Sequence, residues 1–355
     1  MNPPSFHDAG AGDASGEALR VAEMARRDTD PAIAPLTFKR SVEGAGGHRP
    51  PLGGRWVGRH PEALGAPLLA PEGAVFDGWH GAASVREGRH GCVRFVTDGH
   101  WMHGLAEVDE RDCAADGGLV SAARRAYLDL FDVLARQGCP HLLRLWNYFP
   151  DINQEREGSE RYRQFNAGRQ QAFIDAGRSP FEGAPAASAL GTRSGPLRIY
   201  FLAGQHAPAA IENPRQVSAY HYPHAYGPRS PTFSRAALVT LGPTSDALFI
   251  SGTASIVGHA TLHAGDVGRQ TAESLRNIDA LLQEAARRSG LQFPLSELIC
   301  TLYVRHVADV GIVRDVFERF VGAGNAAARQ ALYLQMDICR ADLLVEIEAH
   351  GVLCP

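Results

Sequence analysis

The chain has 355 residues, 45% hydrophobic and 21% charged, with a net charge of −4. That is an ordinary globular composition, large enough for two domains or one big one. No basic tract suggests nucleic acid, and no apolar run approaches the ~20 residues that span a membrane. The six cysteines form no CxxC pair, so neither zinc nor a disulfide framework is indicated. The N-terminus lacks a basic segment followed by an apolar run, and a reducing cytoplasm is expected.

In chain order, residues 1–90 read as an N-terminal extension. To about residue 50 it is rich in Ala, Gly, Asp and Pro, a mobile or draped tail with the makings of a short helix at 13–27. Pro50, Pro51, Pro61, Pro67 and Pro71 then mark an irregular run. Order begins near Cys92, with a strand over 92–97, a tight turn at Asp98-Gly99 and a partner strand over 100–108. An amphipathic helix follows over 119–137, stopped at Gly138, and then an aromatic-rich strand over 141–149.

A basic helix over 158–173, a loop over 183–195 and a strand over 196–203 come next. The later pattern repeats the earlier one. Strands are expected over 235–241 and 247–256, a helix over 271–288 closed by Gly290, and a strand over 299–306. A helix over 309–320 precedes final strands over 331–336 and 343–349. Gly104 and Gly252 occupy matching strands, so one unit is expected to be used twice, as 91–195 with the basic helix and 196–355. The expected class is α+β, with sheet packed on sheet or on helices.

Four stretches carry candidate chemistry. In 343–349, period two places Glu346 and Glu348 on one face with Leu344, a partly buried acidic face or a solvated edge strand. The run Tyr220 to Arg235 holds three tyrosines, two histidines, three prolines and the arginines 229 and 235; it reads as a rigid anion-binding loop or a structural cap. Ser251-Gly-Thr-Ala-Ser255 marks close approach of a ligand or a bulge. Arg305 sits in an apolar strand, needing an anionic ligand or a salt bridge to Glu346 or Asp309. Arg163 and Arg169 read as a solvated helix face or as further anchors, and His259, His263 and Asp266 are a weak metal motif.

Several of these motifs together resemble the chorismatases. They are Trp146-Asn-Tyr, Gly158-Ser-Glu-Arg-Tyr-Arg-Gln-Phe-Asn-Ala-Gly-Arg169, Gly227-Pro-Arg-Ser-Pro-Thr-Phe-Ser-Arg-Ala236, Ile250-Ser-Gly-Thr-Ala-Ser-Ile-Val-Gly-His259 and Asp337-Ile-Cys-Arg-Ala-Asp-Leu-Leu-Val-Glu-Ile-Glu348. The resemblance runs from about residue 90 to the end. It implies two RidA/YjgF-like (chorismate-mutase-like) α+β units in one chain, with a helical and loop insertion. It implies loss of the enolpyruvyl group of chorismate as pyruvate, without metal or organic cofactor, and Glu346 as proton donor. It implies Gly252 and Cys339 as the positions that favour 3-hydroxybenzoate, with some 4-hydroxybenzoate, over a dihydroxycyclohexadiene acid. The dicarboxylate substrate then asks for cationic anchors, first Arg305 and Arg235, then Arg163 and Arg169, with Tyr226 as a hydrogen-bond donor. A monomer or homotrimer is expected, with no nucleic-acid or membrane partner. The competing readings are a hydrolytic chorismatase and a non-catalytic RidA-like module that binds small carboxylates.

Overall fold

The computed structural model describes residues 35–42, 52–58, 64–82 and 84–353. Short strands β1 (Thr37–Val42), β2 (Gly53–Gly58), β3 (Leu68–Ala70) and β4 (Ala74–His80) come first. Next are β5 (Arg86–His90), β6 (Val93–Thr97), β7 (Trp101–Val108), helix α1 (Gly118–Gln137) and β8 (His141–Pro150). A small hairpin, β9 (Glu155–Arg156) and β10 (Ser159–Glu160), leads into α2 (Arg161–Asp175), β11 (Ala186–Thr192) and β12 (Leu197–Gly204). The second half holds β13 (Ala209–Ile211), β14 (Ala236–Gly242), β15 (Ser245–Ala254), the pair β16 (Ile256–Val257) and β17 (Ala260–Thr261), and α3 (Val267–Ser289). It ends with β18 (Ile299–Val304), α4 (Val310–Val321), α5 (Ala326–Gln330), β19 (Leu332–Gln335) and β20 (Val345–Leu353).

The repeat is real and extends to strand order. The first sheet runs β11-β8-β12-β7-β6-β5; the second runs β13-β14-β15-β20-β18-β19-β3. In each, two adjacent antiparallel strands feed a long helix, the next strand feeds a shorter one, a parallel strand follows, and the last strand inserts centrally. Thus β12 is the counterpart of β20, and the first unit closes at Gly204. The sequence division at 195/196 had given this strand to the second unit, because hydrophobic pattern shows that a strand exists but not which neighbour it pairs with.

The two sheets pack face to face. Trp146, Tyr148, Tyr200 and Leu202 of the first meet Phe249, Tyr303 and Leu334 of the second in one core cluster. The outer face of the first sheet buries Ile199 and Phe201 against α1 and α2 through Leu130, Phe165 and Phe173. The outer face of the second buries Leu248, Ile250 and Ile347 against α3 and α4 through Leu275, Ile278 and Phe317. Both long helices end at a glycine in left-handed geometry, Gly138 (φ 70°) and Gly290 (φ 74°), as their C-caps require. No helix among the described residues is long and apolar enough to cross a membrane.

Two expectations fail here. The segment 183–195 is not a loop: Ala186–Thr192 is a fully buried strand, parallel to β8. Its Ala, Ser and Gly content has little strand propensity, and burial on both sides outweighs that. Small residues suit the place, since β11 also bonds to the second sheet. Ala187 N donates to Ser251 Oγ at 2.9 Å, and Gly191 and Asp337 exchange backbone bonds at 2.8 and 3.0 Å.

The extension is likewise more than a tail. β1, β4 and β2 form an antiparallel sheet whose Leu52, Val57, Val75 and Trp79 join the inter-sheet core. The helix expected over 13–27 lies outside the described residues. Asp77 of β4 holds the guanidinium of Arg40 at 2.6 Å and approaches that of Arg55 at 3.5 Å, all three nearly dry. We expect Asp77→Ala to leave Arg40 without its carboxylate partner, while Arg55 keeps Glu348, and to cost about 3–5 kcal/mol in denaturant unfolding. Unfolding unchanged from wild type would show that the extension is not energetically joined to the body.

Candidate active site

β20 carries the chemistry. Its alternation points Val345 and Ile347 toward the helices and Glu346 and Glu348 into the space between the sheets. Both carboxylates are buried, at 3% and 5% exposure, so the acidic face is neither partly exposed nor solvated. Leu344 is not on that face: it precedes the strand and packs with the helix-side core.

The two acids have opposite surroundings. Glu348 accepts from Arg55 Nη2 at 2.6 Å, Arg144 Nη2 at 2.6 Å, Ser188 Oγ at 2.7 Å and Trp146 Nε1 at 3.1 Å. These donors outweigh burial and hold its pKa down at about 2. Glu346 lacks such a cage. Burial first, then the like charge of Glu348, raise its pKa from 4.5 to about 8. Cys339 Sγ lies 3.8 Å from its Oε2, and burial together with the Glu346 charge pushes that thiol well above its usual range, so it stays neutral.

Gly252 explains how the carboxyl fits. It lies at a register shift in the β15–β20 pairing, between Ile250 and Thr253. A Cβ there would fall 1.9 Å from Glu346 Oε1. Close approach and bulge, read as alternatives in the sequence, hold together, and the group that approaches is the acid itself.

Glu346 opens onto a cleft with about 600 Å³ of empty volume. Gly252, Cys339, Arg235, Tyr226 and Arg163, all singled out in the sequence, share its walls. Arg235 is held by Val217 O and Tyr222 Oη, each at 2.8 Å, while its buried Nε has no hydrogen-bond partner among the described residues. Tyr226 Oη donates to His259 O at 2.7 Å. Arg163 sits half-exposed, bonded to Ala225 O at 3.2 Å.

Two expected anchors are elsewhere. Arg305 does not line the cleft. Its guanidinium is taken up by Asp337 at 2.6 Å, by Asn153 Oδ1 at 3.1 Å and by the carbonyls of Leu343, Ile338 and Arg340, so it braces the turn that leads into β20. The ion-pair reading of Arg305 was right in kind, but the partner is Asp337 rather than Glu346 or Asp309. Arg169 is only 1% exposed, bonded to Asn166 Oδ1 at 2.8 Å and lying over the Phe165 ring; it is neither a solvated helix residue nor part of the cleft wall.

Sequence reasoning missed Arg340. It lies over the Tyr222 and Tyr226 rings at 5.1 and 4.1 Å, donates to His259 O at 2.8 Å, and keeps a buried Nη2 with no hydrogen-bond partner among the described residues. Its signal was adjacency to Cys339, but strand alternation would have sent it to the opposite side; residues 337–344 form no strand, so both line the cleft. Tyr162, Tyr222, Phe233 and Glu160 complete much of the wall, and burial raises the Glu160 carboxyl. His263 lies away from that wall, 3.7 Å from Glu273. Three guanidiniums, several phenols and two carboxyls pushed above their usual range by burial form a donor set for an organic dianion rather than for a metal cation.

A family model described as chorismatase FkbO/Hyg5-like, N-terminal, matches residues 77–203. A 3-hydroxybenzoate synthase of Streptomyces hygroscopicus is 36% identical over 293 residues, 79% of this chain and 83% of the relative. A chorismatase of Streptomyces rapamycinicus is 37% identical over 281 residues, 77% of this chain and 80% of the relative. A crystal structure of chorismatase, 30% identical, covers 91% of this chain and 100% of its own with a TM-score of 0.79.

Infrared difference titration checks the acid directly. The wild type should show a protonated carboxyl band that disappears as pH rises through about 8, and Glu346→Gln should lack it. A band lost near pH 4–5 instead would mean that Glu346 is solvated.

Proposed function

The chain belongs to the chorismatase family, and on that premise we propose that it releases the enolpyruvyl group of chorismate as pyruvate and forms 3-hydroxybenzoate. The observation that carries this reading is a buried Glu346, its carboxyl pushed up to about 8 by burial and the Glu348 charge, facing a cleft walled by arginines.

Chorismate is a dicarboxylate, and the free edges of Arg235 and Arg340 suit its carboxylates, with Arg163 at the mouth. Glu346 gives its proton to the terminal methylene carbon of the enol ether. The positive charge then rests on the ether carbon and its oxygen, and Glu346 becomes a carboxylate nearby that stabilises it. An oxygen nucleophile adds to that carbon. If the nucleophile is the ring hydroxyl, its own bond to the ring then breaks and the ether-bearing ring carbon returns a proton to the Glu346 carboxylate, so the ring aromatises; the hemiketal left on the ether oxygen collapses, and 3-hydroxybenzoate plus pyruvate contain the atoms of chorismate. If it is water, the diene acid plus pyruvate contain one water more.

The small, neutral Cys339 beside Glu346 Oε2 favours the first course, because it offers water no strong hydrogen-bonding group. Gly252 makes room for the carboxyl of Glu346, which either course requires. The binding-module alternative relied on Arg305 as its anchor, and that side chain is already occupied by the fold.

Purified, EDTA-treated protein should convert chorismate to pyruvate and 3-hydroxybenzoate, with the aromatic products separated by chromatography. Glu346→Gln should still bind chorismate and turn over ~100-fold more slowly. Cys339→Ser should shift product toward the diene acid, because a hydroxyl can hold a water where the thiol does not. Pyruvate without 3-hydroxybenzoate from the wild type would keep the enolpyruvyl cleavage and discard the product assignment; no pyruvate would discard both. Arg340→Met and Arg235→Met should each raise KM ~10-fold or more, as loss of a charge-assisted bond requires. Unchanged KM in both would move the carboxylate sites elsewhere.

A further inference from the structure

We propose that Glu348 is a positioning residue for this reaction, a buried charge clamped between two arginines that disfavours ionisation of Glu346, and that β2 serves catalysis by supplying one of those arginines. This rests on reading Glu346 as the proton donor.

Geometry comes first. The two carboxylates lie on one face of β20, two residues and therefore roughly 7 Å apart along the strand. Both are dry, so little solvent screens one from the other. Four donors from three elements fix Glu348 as an anion: Arg55 of β2, Arg144 and Trp146 of β8, and Ser188 of β11.

The charges around the pair can be assigned. Beyond Arg55, Asp77 of β4 and Arg40 of β1 pair with each other. Tyr148 of β8 and Tyr303 of β18 face Arg55 and Glu348 as neutral phenols, their ionisation opposed by burial. His103 of β7 and His350 of β20 are kept neutral, pushed by burial down to about 3. Besides Glu348, the charged and polar groups that act on Glu346 are Arg144, Arg235 and the Cys339 thiol, and Tyr162 also faces it. Arg340 and Glu160 stand further along the cleft wall. Arg40, Asp77, Arg55, Glu348 and Arg144 together carry one net positive charge, which becomes two if Glu348 is neutralised.

Stability alone does not account for such a cluster, because apolar packing often serves a buried ion network's structural role as well or better. Its electrostatic consequence at Glu346 is specific. Without the Glu348 charge, Glu346 loses a like-charged neighbour and faces arginines that are no longer balanced. Both changes favour its carboxylate, which cannot donate a proton.

The test is the pH dependence of kcat/KM for chorismate, using the full chain. Wild type should lose activity on a basic limb near pH 8, where Glu346 deprotonates. Glu348→Gln should move that limb toward acid by about one unit or more. Arg144→Met should move it toward alkali, because a cation facing both acids has gone. Opposite shifts from two variants of one cluster are not expected from a merely structural role. A limb that stays at its wild-type position in both variants overturns the proposal. If Glu348→Gln does not fold, Arg144→Met decides alone, and an unmoved limb overturns it. A Glu346→Gln enzyme that keeps wild-type turnover and its limb would instead overturn the reading of Glu346, a result distinguishable from the other two.

Discussion

The carboxylate of Glu348, received by Arg55 and Arg144, is the contact on which the rest of the molecule depends. Its four donors come from the N-terminal sheet, from β8 and from β11, while the acid itself belongs to the second sheet. Taking that charge out of water is expensive, and only the simultaneous arrival of these elements offsets the cost. Packing of sheet on sheet therefore creates an electrostatic environment as well as a core. The dry interior that makes the Glu348 pairing strong is also what pushes the Glu346 carboxyl up to about 8 on the same face of β20.

The duplication shows how one of two like units acquires a site. β12 and β20 occupy equivalent central positions, each between the two strands that flank it. Toward the shared core β12 presents Tyr200 and Leu202, whereas β20 presents Glu346, Glu348 and His350. The first unit answers with Arg144 and Trp146 on β8. One half supplies the acids and the other supplies their counter-ions, so neither unit is complete alone.

The cleft follows the same division of labour. Its floor is β15 and β20, where the missing side chain at Gly252 admits the carboxyl of Glu346. Its wall is irregular chain: the Tyr220–Arg235 loop, the start of α2 and the turn at 337–344. Arg305 braces that turn from behind through carbonyls at 338, 340 and 343, which orients Cys339 and Arg340 without touching the cleft. A rigid sheet thus sets the acid, and braced loops set the anchors around it.

Much was legible in the sequence because it is local. Period two along 343–349 placed Glu346 and Glu348 side by side, glycines marked the helix ends, and the repeated order of strands and helices disclosed two like units. The motifs around Gly252, Cys339 and Arg235 meet on the wall of one cleft with Glu346. What depends on partners distant in the chain was not legible. Arg305 and Arg169 carry the residue type of an anchor, but bonds to Asp337, Asn153 and Asn166 hold them away from the cleft wall. Arg340 was passed over because its side depends on a turn rather than on alternation. The strand at 186–192 and the sheet at 37–80 have weak or interrupted patterns, and only burial against the two main sheets makes them strands. The sequence alone therefore determined which acids, glycines and cysteine stand close together along the chain. Tertiary structure decided which acid keeps its proton and which arginines remain free for a ligand, because burial and charge compensation are properties of the assembled fold.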